Sequence, residues 1–194
     1  DKIAWYENID GLGNFGLQQT ISLEADGAYS VFASDLDNDG DIDVLSASLS
    51  DDKIAWYENT DGNGAFGPQQ IITSQAGSTQ CVFSSDLDGD GDMDVLSTSQ
   101  IDNTVTWYVN NGNSNFEDQI TISTEIGGPV FVRTADLDND GDMDIITAFF
   151  LGDKIIWQEN IDGLGTFGNP QIITTLTNNP NSIFVTDLDG DGDI

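Results

Sequence analysis

Short apolar runs separated by polar turn segments follow one another along the chain, and their order recurs about every 50 residues. Within one repeat, apolar or β-branched runs occupy residues 31–34, 44–49, 53–59 and 69–74. Runs of this length, bounded by Asp, Gly, Asn and Ser, are typical of β-strands joined by short turns. No apolar period of 3.6 residues persists over the length of a helix, so we expect an all-β protein with almost no helix.

The faces of these strands predict how the strands pack. In Lys-Ile-Ala-Trp-Tyr-Glu-Asn, Ile54 and Trp56 share one face while Ala55 and Tyr57 share the other. The run at 44–48 is small or apolar on both faces as well. A two-sheet sandwich would show a cleaner alternation of apolar and polar faces. The pattern therefore favours a β-propeller, in which blades of four antiparallel strands pack side by side around an axis.

Each repeat also contains one strongly acidic loop, with the pattern Asp-Leu-Asp-x-Asp-Gly-Asp-x-Asp, of which the last copy lacks the ninth position. The loops begin at Asp35, Asp86, Asp136 and Asp187, at intervals of 51, 50 and 51 residues. The tryptophans keep the same interval, at Trp5, Trp56, Trp107 and Trp157. A period of this length indicates one repeat array and not two unrelated domains.

The chemistry of the loops predicts calcium. Aspartates at positions 1, 3 and 5 can turn their carboxylates toward one point, and the glycine at position 6 permits the turn that brings the chain back. Hard oxygen ligands suit Ca²⁺, whereas Mg²⁺ usually keeps several waters. Zn²⁺ is disfavoured because the chain has no His and one Cys. We expect one Ca²⁺ per loop, bound by side chains at positions 1, 3, 5 and 9 and the carbonyl oxygen at position 7, whose own side chain faces solvent or supports the ligands.

The candidate metal residues are all the aspartates of these loops: Asp35, Asp37, Asp39, Asp41, Asp43, Asp86, Asp88, Asp90, Asp92, Asp94, Asp136, Asp138, Asp140, Asp142, Asp144, Asp187, Asp189, Asp191 and Asp193. The loops are not EF-hands, which need Glu at position 12, because Ser46, Ser97 and Thr147 stand there. The alternative is a set of metal-free Asp-Gly turns. Such turns need one Asp, and this many uncompensated carboxylates would repel one another.

These residues resemble a known family. The acidic pattern, the Phe-Gly pairs at 15–16, 66–67 and 167–168, and the unit Lys-Ile-Ala-Trp-Tyr-Glu-Asn resemble the FG-GAP/VCBS repeats, the integrin-α-like calcium-binding β-propellers, of bacterial or algal type. The resemblance implies that the metal loop joins the first two strands of each blade and that the connections that vary between repeats lie on the opposite face, where we expect any partner to bind. The third repeat departs from the pattern at 103–107 and at Phe116-Glu117, although its metal loop is intact.

The amino-acid composition limits the kinds of partner that the protein is expected to bind. The formal charge is −31, and four bound Ca²⁺ would reduce it to −23. Such a surface repels nucleic acid and anionic membranes, so neither nucleic-acid binding nor membrane insertion is expected. Calcium loops of this kind commonly bind weakly enough to be empty in cytosol, which favours a secreted or cell-surface location. The single cysteine, Cys81, excludes an internal disulfide and is expected to be packed in the core.

We expect a single β-propeller segment over residues 1–194. Its predicted parts are the end of one blade (1–26), three blades (27–77, 78–127 and 128–178) and the start of a further blade (179–194). Nine residues, the equivalents of 43–51, would join the end to the start in phase. A closed four-bladed ring lacking one inner strand would leave backbone groups unsatisfied. We therefore expect a segment of a larger propeller, of about seven blades as the family suggests.

Three functions are compatible with this architecture. The first is a non-enzymatic structural, adhesion or recognition module that binds a protein or glycan through the variable connections opposite the calcium loops. The second is a carbohydrate-binding, lectin-like propeller, although the four tryptophans share a strand face with Ile or Val and are expected in the core. The third is the non-catalytic propeller part of a polysaccharide-degrading enzyme.

Catalysis by this chain itself is not expected. Without His it has no Ser-His or Cys-His pair, and its clustered acids are accounted for as metal ligands. The basic residues are Lys2, Lys53, Lys154 and Arg133. The lysines occupy equivalent repeat positions, which is typical of charges at strand edges, and Arg133 is expected to pair with aspartates near it.

Overall fold

The computed structural model describes residues 1–112, 114–116 and 118–194, so Glu117 lies outside the described residues. Within these ranges the chain contains fourteen β-strands and no helix, as predicted. The strands are β1 (Ile3–Trp5), β2 (Gln19–Ser22), β3 (Ala28–Ser34), β4 (Asp43–Ser48), β5 (Lys53–Tyr57), β6 (Gln70–Thr73), β7 (Thr79–Ser85), β8 (Asp94–Ser99), β9 (Thr104–Val109), β10 (Asp118–Ser123), β11 (Pro129–Ala135), β12 (Asp144–Phe149), β13 (Lys154–Gln158) and β14 (Gln171–Thr174). No helix among the described residues is long and apolar enough to cross a membrane.

The strands form propeller-like blades. The described residues contain three four-stranded sheets, β3-β4-β5-β6, β7-β8-β9-β10 and β11-β12-β13-β14, and β1 pairs with β2. Within each sheet, every strand pairs antiparallel with its neighbour in the chain, and connections of only a few residues, such as 49–52, can join only antiparallel neighbours. The first strands of successive sheets, β3, β7 and β11, lie beside one another. The prediction of four-stranded antiparallel blades is therefore confirmed.

The core lies between the blades. Leu45 and Trp56 of the first four-stranded sheet pack with Val82, Val95 and Tyr108 of the second. All six residues of β8 are buried, and so are all six of β12. Burial on both faces explains why these strands do not alternate between apolar and polar residues.

The next interface contains the cysteine and another tryptophan. Cys81 and Trp107 of the second sheet pack with Val132 and Ile145 of the third, and the ring of Phe167 meets Trp107 edge to face at 6.3 Å between centroids. Cys81 is buried, as predicted. Trp56 and Trp107 are 4% and 3% exposed, so their large apolar surfaces stabilise the packing of one blade on the next.

The two ends of the blades carry different connections. One end, which we call the metal-loop end, holds the β3–β4, β7–β8 and β11–β12 connections, which are the acidic loops. The other, the far end, holds the β4–β5, β8–β9 and β12–β13 hairpins and the connections between blades at 74–78 and 124–128. In the hairpins, Asp52, Asn103 and Asp153 adopt left-handed φ angles of 54°, 57° and 49°. Asp and Asn tolerate this conformation better than most residues.

Residues 179–194, all of which the structure describes, contain no strand. The predicted blade boundaries and the larger ring stay predictions.

Candidate metal centres

The backbone of each acidic loop is folded by its own aspartates. The glycines at position 6 have φ angles of 93°, 94°, 99° and 102°, which only glycine adopts at little cost, as predicted. In the first loop the N–H of Gly40 donates to Oδ2 of Asp35 at 3.0 Å, and the N–H of Asp41 donates to Oδ1 of Asp39 at 2.8 Å. The other three loops repeat both bonds, between 2.9 and 3.1 Å. These bonds hold the carboxylates at positions 1 and 5 in place.

The carboxylates at positions 1, 3 and 5 come together in every loop. In each triplet one oxygen from each residue lies within 4.8 Å of the other two. The triplets are Asp35, Asp37 and Asp39; Asp86, Asp88 and Asp90; Asp136, Asp138 and Asp140; and Asp187, Asp189 and Asp191. Each of the four could therefore hold a metal ion.

The first loop supplies a test of whether a cation fits. The Oδ1 atom of Asp35 is buried and has no hydrogen-bond partner among the described residues. Burial raises the pKa of Asp37 and of Asp88, and neighbouring carboxylates raise both further. A buried carboxylate oxygen without a donor, among other carboxylates, is costly unless a cation lies against it. The donor set therefore fits a hard divalent ion such as Ca²⁺.

The position-9 aspartates are placed differently from the triplets. Asp43 is 1% exposed, and its two oxygens accept hydrogen bonds from the N–H groups of Leu36 at 2.9 Å and Asn59 at 2.8 Å. Asp94 and Asp144 accept the equivalent pairs of bonds at 3.0 and 2.8 Å. Position 9 therefore ties the loop to the end of the third strand of its blade. The sequence did not indicate this structural role of position 9. That position 9 also binds the metal stays a prediction.

Burial also changes the acidity of these groups. It raises the pKa of Asp43 to about 6 and that of Asp94 to about 7, while the two backbone donors oppose the shift. Burial raises the pKa of Asp144 in the same way. A nearby divalent cation would favour the ionised form and so lower these values.

The side chains at position 7 join neighbouring loops. Asp92 accepts a hydrogen bond from the side-chain amide of Asn38, at position 4 of the preceding loop, and Asp193 accepts one from Asn139 at 2.9 Å. The residue at position 4 is left-handed, with φ of 60° at Asn38 and 71° at Gly89. Position 7 was expected to face solvent or to support the ligands. At Asp92 and Asp193 its side chain makes a contact between two loops.

A recurring asparagine, which sequence reasoning missed, completes the connection between loops. Asn110 follows β9 and is 1% exposed; its amide donates to the carbonyl of Leu36 in the preceding loop at 2.9 Å and to that of Met93 in its own loop at 3.1 Å. Asn160 makes the same pair of contacts, with Leu87 at 2.9 Å and Met143 at 3.4 Å. The sequence contained a signal for this role, because Asn recurs at positions 8, 59, 110 and 160, at the interval of the repeat.

The expectation for Arg133 is wrong. The guanidinium lies over the rings of Phe131 and Phe83, at 4.0 and 4.7 Å from their centroids, and donates to the carbonyl of Val132 at 2.7 Å. Among the described residues, the side-chain ion pairs are instead Lys53–Asp51 and Lys154–Glu125. Position −3 before each loop holds Phe32, Phe83, Arg133 and Phe184, so the arginine takes a place that is aromatic in the other repeats and stacks there.

Comparison with known structures supports the fold. A lectin from Agrocybe aegerita, whose structure is described as the basis of specific recognition of non-reducing terminal N-acetylglucosamine, is similar with a TM-score of 0.65 and 22% sequence identity over 91% of this chain. The match covers 47% of the lectin chain, so this chain spans about half of that length. At this identity the likeness concerns the fold alone.

Comparison of sequences places the chain in a family. No curated protein matches the chain. The family model for the FG-GAP-like repeat matches residues 35–97 and 86–147, which together span more than half of the chain and contain its first three acidic loops. With blades, loops and Asp triplets as described, the chain belongs to the FG-GAP-like repeat family.

Proposed function

We propose that this β-propeller segment is a calcium-stabilised module of a secreted or cell-surface protein, with a structural, adhesion or recognition role and no catalysis of its own. The observation that carries the proposal is the recurrence of Asp triplets whose oxygens converge within 4.8 Å, together with the unpartnered buried oxygen of Asp35. FG-GAP-like repeats support a structural or recognition module and are typical of extracellular proteins. Extracellular calcium is abundant enough to fill weak sites.

Bound Ca²⁺ would neutralise the mutual repulsion of the carboxylates at positions 1, 3 and 5. The chain's own residues connect each loop to the blades. Position 9 ties the loop to its third strand, while Asn110 and Asn160 tie it to the loop before it. An acidic loop that calcium holds in place therefore also stabilises the contact with the next blade. Calcium would in this way stabilise the whole array of blades as well as each turn.

The experiment is thermal unfolding in excess chelator and in excess Ca²⁺. Each site adds about 2.7 kcal/mol at a calcium concentration 100 times its Kd, so the midpoint should rise by many degrees when calcium is restored. Mg²⁺ at the same concentration should restore much less. Asp37→Asn, which changes one ligand of the first triplet, should reduce the calcium-dependent part. Identical melting curves with chelator and with calcium would refute the proposal.

The far end of the blades is the proposed recognition surface. Its connections differ in sequence from blade to blade and carry exposed apolar side chains, including Ile101, Ile126 and Leu151, which are 72%, 83% and 67% exposed. Variable loops held on a rigid scaffold often carry binding residues. A protein or glycan ligand is therefore proposed at this end, away from the calcium loops.

A carbohydrate-binding role is the second candidate, and one observation favours it. A cavity of about 490 Å³ lies between the second and third four-stranded sheets at the metal-loop end. Phe83 and Met143 line it together with Ser85 and Thr134, and the buried hydroxyl of Ser84, also in its lining, has no partner among the described residues. An apolar surface with a few polar groups is the usual composition of a small-ligand site. The similar lectin adds only that this fold can carry such a function.

A glycan array in calcium buffer tests the second candidate and locates the site. Gly89→Asn should narrow the cavity, because Asn is accepted at the equivalent left-handed positions Asn38 and Asn139. Loss of glycan binding in this variant would place the site in the cavity. Loss in a variant with Ile101, Ile126 and Leu151 changed to Ser would place it at the far end. A wild-type protein that binds no glycan would contradict the second candidate.

The absence of catalysis is part of the proposal. The chain has no His and its one Cys is buried, and in the part of the chain that the structure describes the groups of three or more converging acids are the loop triplets. If the segment belongs to a polysaccharide-degrading enzyme, the chemistry would come from another domain. Incubation of this chain with polysaccharides in calcium buffer should release no new reducing ends.

A further inference from the structure

The lysine at the start of the third strand in the first four-stranded sheet is held by a set of oxygens at the far end. Nζ of Lys53 lies 2.8 Å from the carboxylate of Asp51 and donates to the carbonyl of Glu24 at 2.9 Å and to Oε1 of Gln69 at 3.3 Å. Lys2 donates to Gln18, the equivalent of Gln69, whereas Lys154 pairs with the side chain of Glu125. The structure thus contains a well-defined environment for a primary ammonium group.

In the second four-stranded sheet the same position has no ammonium group. The register pairs Ser48 with Lys53 in the first sheet and Ser99 with Thr104 in the second, so threonine replaces the lysine. The acceptors are retained. Asp102, Gln119 and the backbone of Gln75 stand where Asp51, Gln69 and the backbone of Glu24 stand one repeat earlier.

A cavity lies at Thr104, at the register position that Lys53 occupies in the preceding sheet. Its volume is about 240 Å³, and Gln75, Asp102, Thr104 and Gln119 line it. The buried residues Ser97, Thr106 and Tyr108, each with a hydroxyl group, are also in its lining. Asp102 and Gln119 are exposed at its mouth, so the cavity is accessible from solvent. We call it the Thr104 recess.

The carboxylate at the mouth of the recess is held in position. Oδ2 of Asp102 accepts a hydrogen bond from the N–H of Gly77 at 3.1 Å and another from the hydroxyl of Ser99 at 3.0 Å. A fixed carboxylate loses little conformational entropy when it binds a ligand. It also retains lone pairs for a further donor.

We propose that the Thr104 recess binds a primary alkylammonium group. The negative charge of Asp102 and of the whole chain opposes anions, and hydroxyl and amide groups in the lining disfavour an apolar ligand. A single carboxylate is a poor site for Ca²⁺, which takes six to eight oxygens. An ammonium on a short alkyl chain matches both the acceptors and the space, since a lysine side chain fits the equivalent position in the preceding sheet.

The recess lies at the proposed recognition surface. Whether the amine belongs to a partner protein rests on the proposed function, whereas the binding of an amine does not. A lysine side chain of a partner protein and a free amine present the same group. Binding of a simple amine does not depend on any partner. It also does not depend on the calcium proposal, which the melting experiment decides separately.

The test is titration of the chain with n-butylammonium chloride in excess calcium and moderate salt, followed by calorimetry and by the methyl resonances of Thr104 and Thr106. We expect saturable binding of one amine per chain and none of n-butanol. Thr104→Lys should abolish binding, because its own ammonium fills the recess, and Asp102→Asn should weaken it about tenfold through loss of a charged hydrogen bond. Lys53→Thr is the matched gain-of-site variant and should bind a second amine.

Several results would overturn the inference: no saturable binding, binding that Thr104→Lys and Asp102→Asn both leave unchanged, or equal binding of n-butanol. Equal binding of potassium ions would show a general cation site and would also overturn it. A peptide with a blocked N-terminus and one internal lysine separates the two sources. Competition between this peptide and n-butylammonium supports a partner's lysine, whereas exclusion of the peptide supports a free amine.

Discussion

At the scale of single residues, the aspartates of one loop have different surroundings although they look alike in sequence. Asp88 lies near Asp86 and Asp90, and the pKa of its carboxyl is raised by burial and by these neighbours. Asp94, six residues later, is fully buried and accepts two backbone hydrogen bonds. At position 3 neighbouring carboxylates therefore add to the effect of burial, whereas at position 9 two backbone hydrogen bonds oppose the effect of burial.

The first prediction separates the roles of positions 3 and 9. Asp88 and Asp94 are each replaced by Asn, and the stability of each variant is measured in chelator and in calcium. Asp94→Asn should lower the free energy of unfolding by about 1–3 kcal/mol in both conditions, because an amide has one acceptor oxygen and leaves one buried N–H without a partner. Asp88→Asn should lower it only in calcium. In chelator Asp88→Asn should be neutral or stabilising, because it removes a repelling charge.

Asp26→Asn is the control for these variants, because Asp26 is exposed and lies outside the loops. Thermal unfolding of all three variants gives the comparison. If Asp94→Asn proved harmless in chelator, position 9 would act only through the metal, and the hydrogen-bonded role described above would be wrong.

At the scale of elements, the connections between the third and fourth strands of each blade contact the blade before. Gly165, with φ of 83°, lies against the ring of Trp107, and a Cβ there would overlap the indole. Gly64 stands in the same relation to Trp5. The glycine therefore serves both the turn and the close approach of two blades.

The second prediction concerns this contact. Gly165→Ala should destabilise the protein by about 3 kcal/mol, from left-handed strain together with overpacking against Trp107. Gly13→Ala is a matched control, because Gly13 has φ of 94° but nothing within 4 Å of its Cβ position, so about 1–2 kcal/mol is expected. Denaturant unfolding measures both, and equal losses would mean that the tryptophan contact contributes nothing.

The third prediction concerns the contacts between acidic loops. Asn38 donates to Asp92, whereas Gly89 at the equivalent position cannot make this contact with Asp142. Gly89→Asn should stabilise the protein by about 1 kcal/mol, through a new hydrogen bond and a less flexible unfolded chain. Asn38→Gly should cost about as much. Opposite shifts of the melting temperature, roughly 2–4 °C each for a chain of this size, are the expected result, and shifts of the same sign would contradict it.

At the scale of the whole molecule, charge sets the balance between the folded and unfolded chain. The formal charge of −31 is concentrated in the four loops, and four Ca²⁺ would reduce it to −23. Self-repulsion of this size destabilises the compact state and is weakened by salt.

The fourth prediction follows from this balance. In chelator the melting temperature should rise steeply with NaCl up to about 1 M, where the Debye length falls to about 3 Å. In saturating calcium the rise should be smaller, because the carboxylates are already neutralised. KCl should act like NaCl, since the effect is one of screening. A melting temperature independent of salt in chelator would show that repulsion among the loops is not a major cost.

Much of this architecture was determined by the sequence itself. The order of apolar runs, the interval of 50 or 51 residues and the Asp-Gly turns predicted antiparallel four-stranded blades, and the aspartates at positions 1, 3 and 5 predicted the triplets. These features are local. A strand, a turn or a carboxylate cluster depends on residues a few positions apart, so its pattern can be recognised along the chain.

The tertiary structure decided which groups meet across blades. The contact of Asn110 with Leu36 joins residues 74 positions apart, and Arg133 stacks on Phe83 where pairing with aspartates was expected. The Thr104 recess lies between the second four-stranded sheet and the connection at 74–78, at a position that lysine occupies in the preceding sheet. Such contacts depend on how one blade is placed against the next, and the period of a sequence sets the number and length of the strands but not these distances.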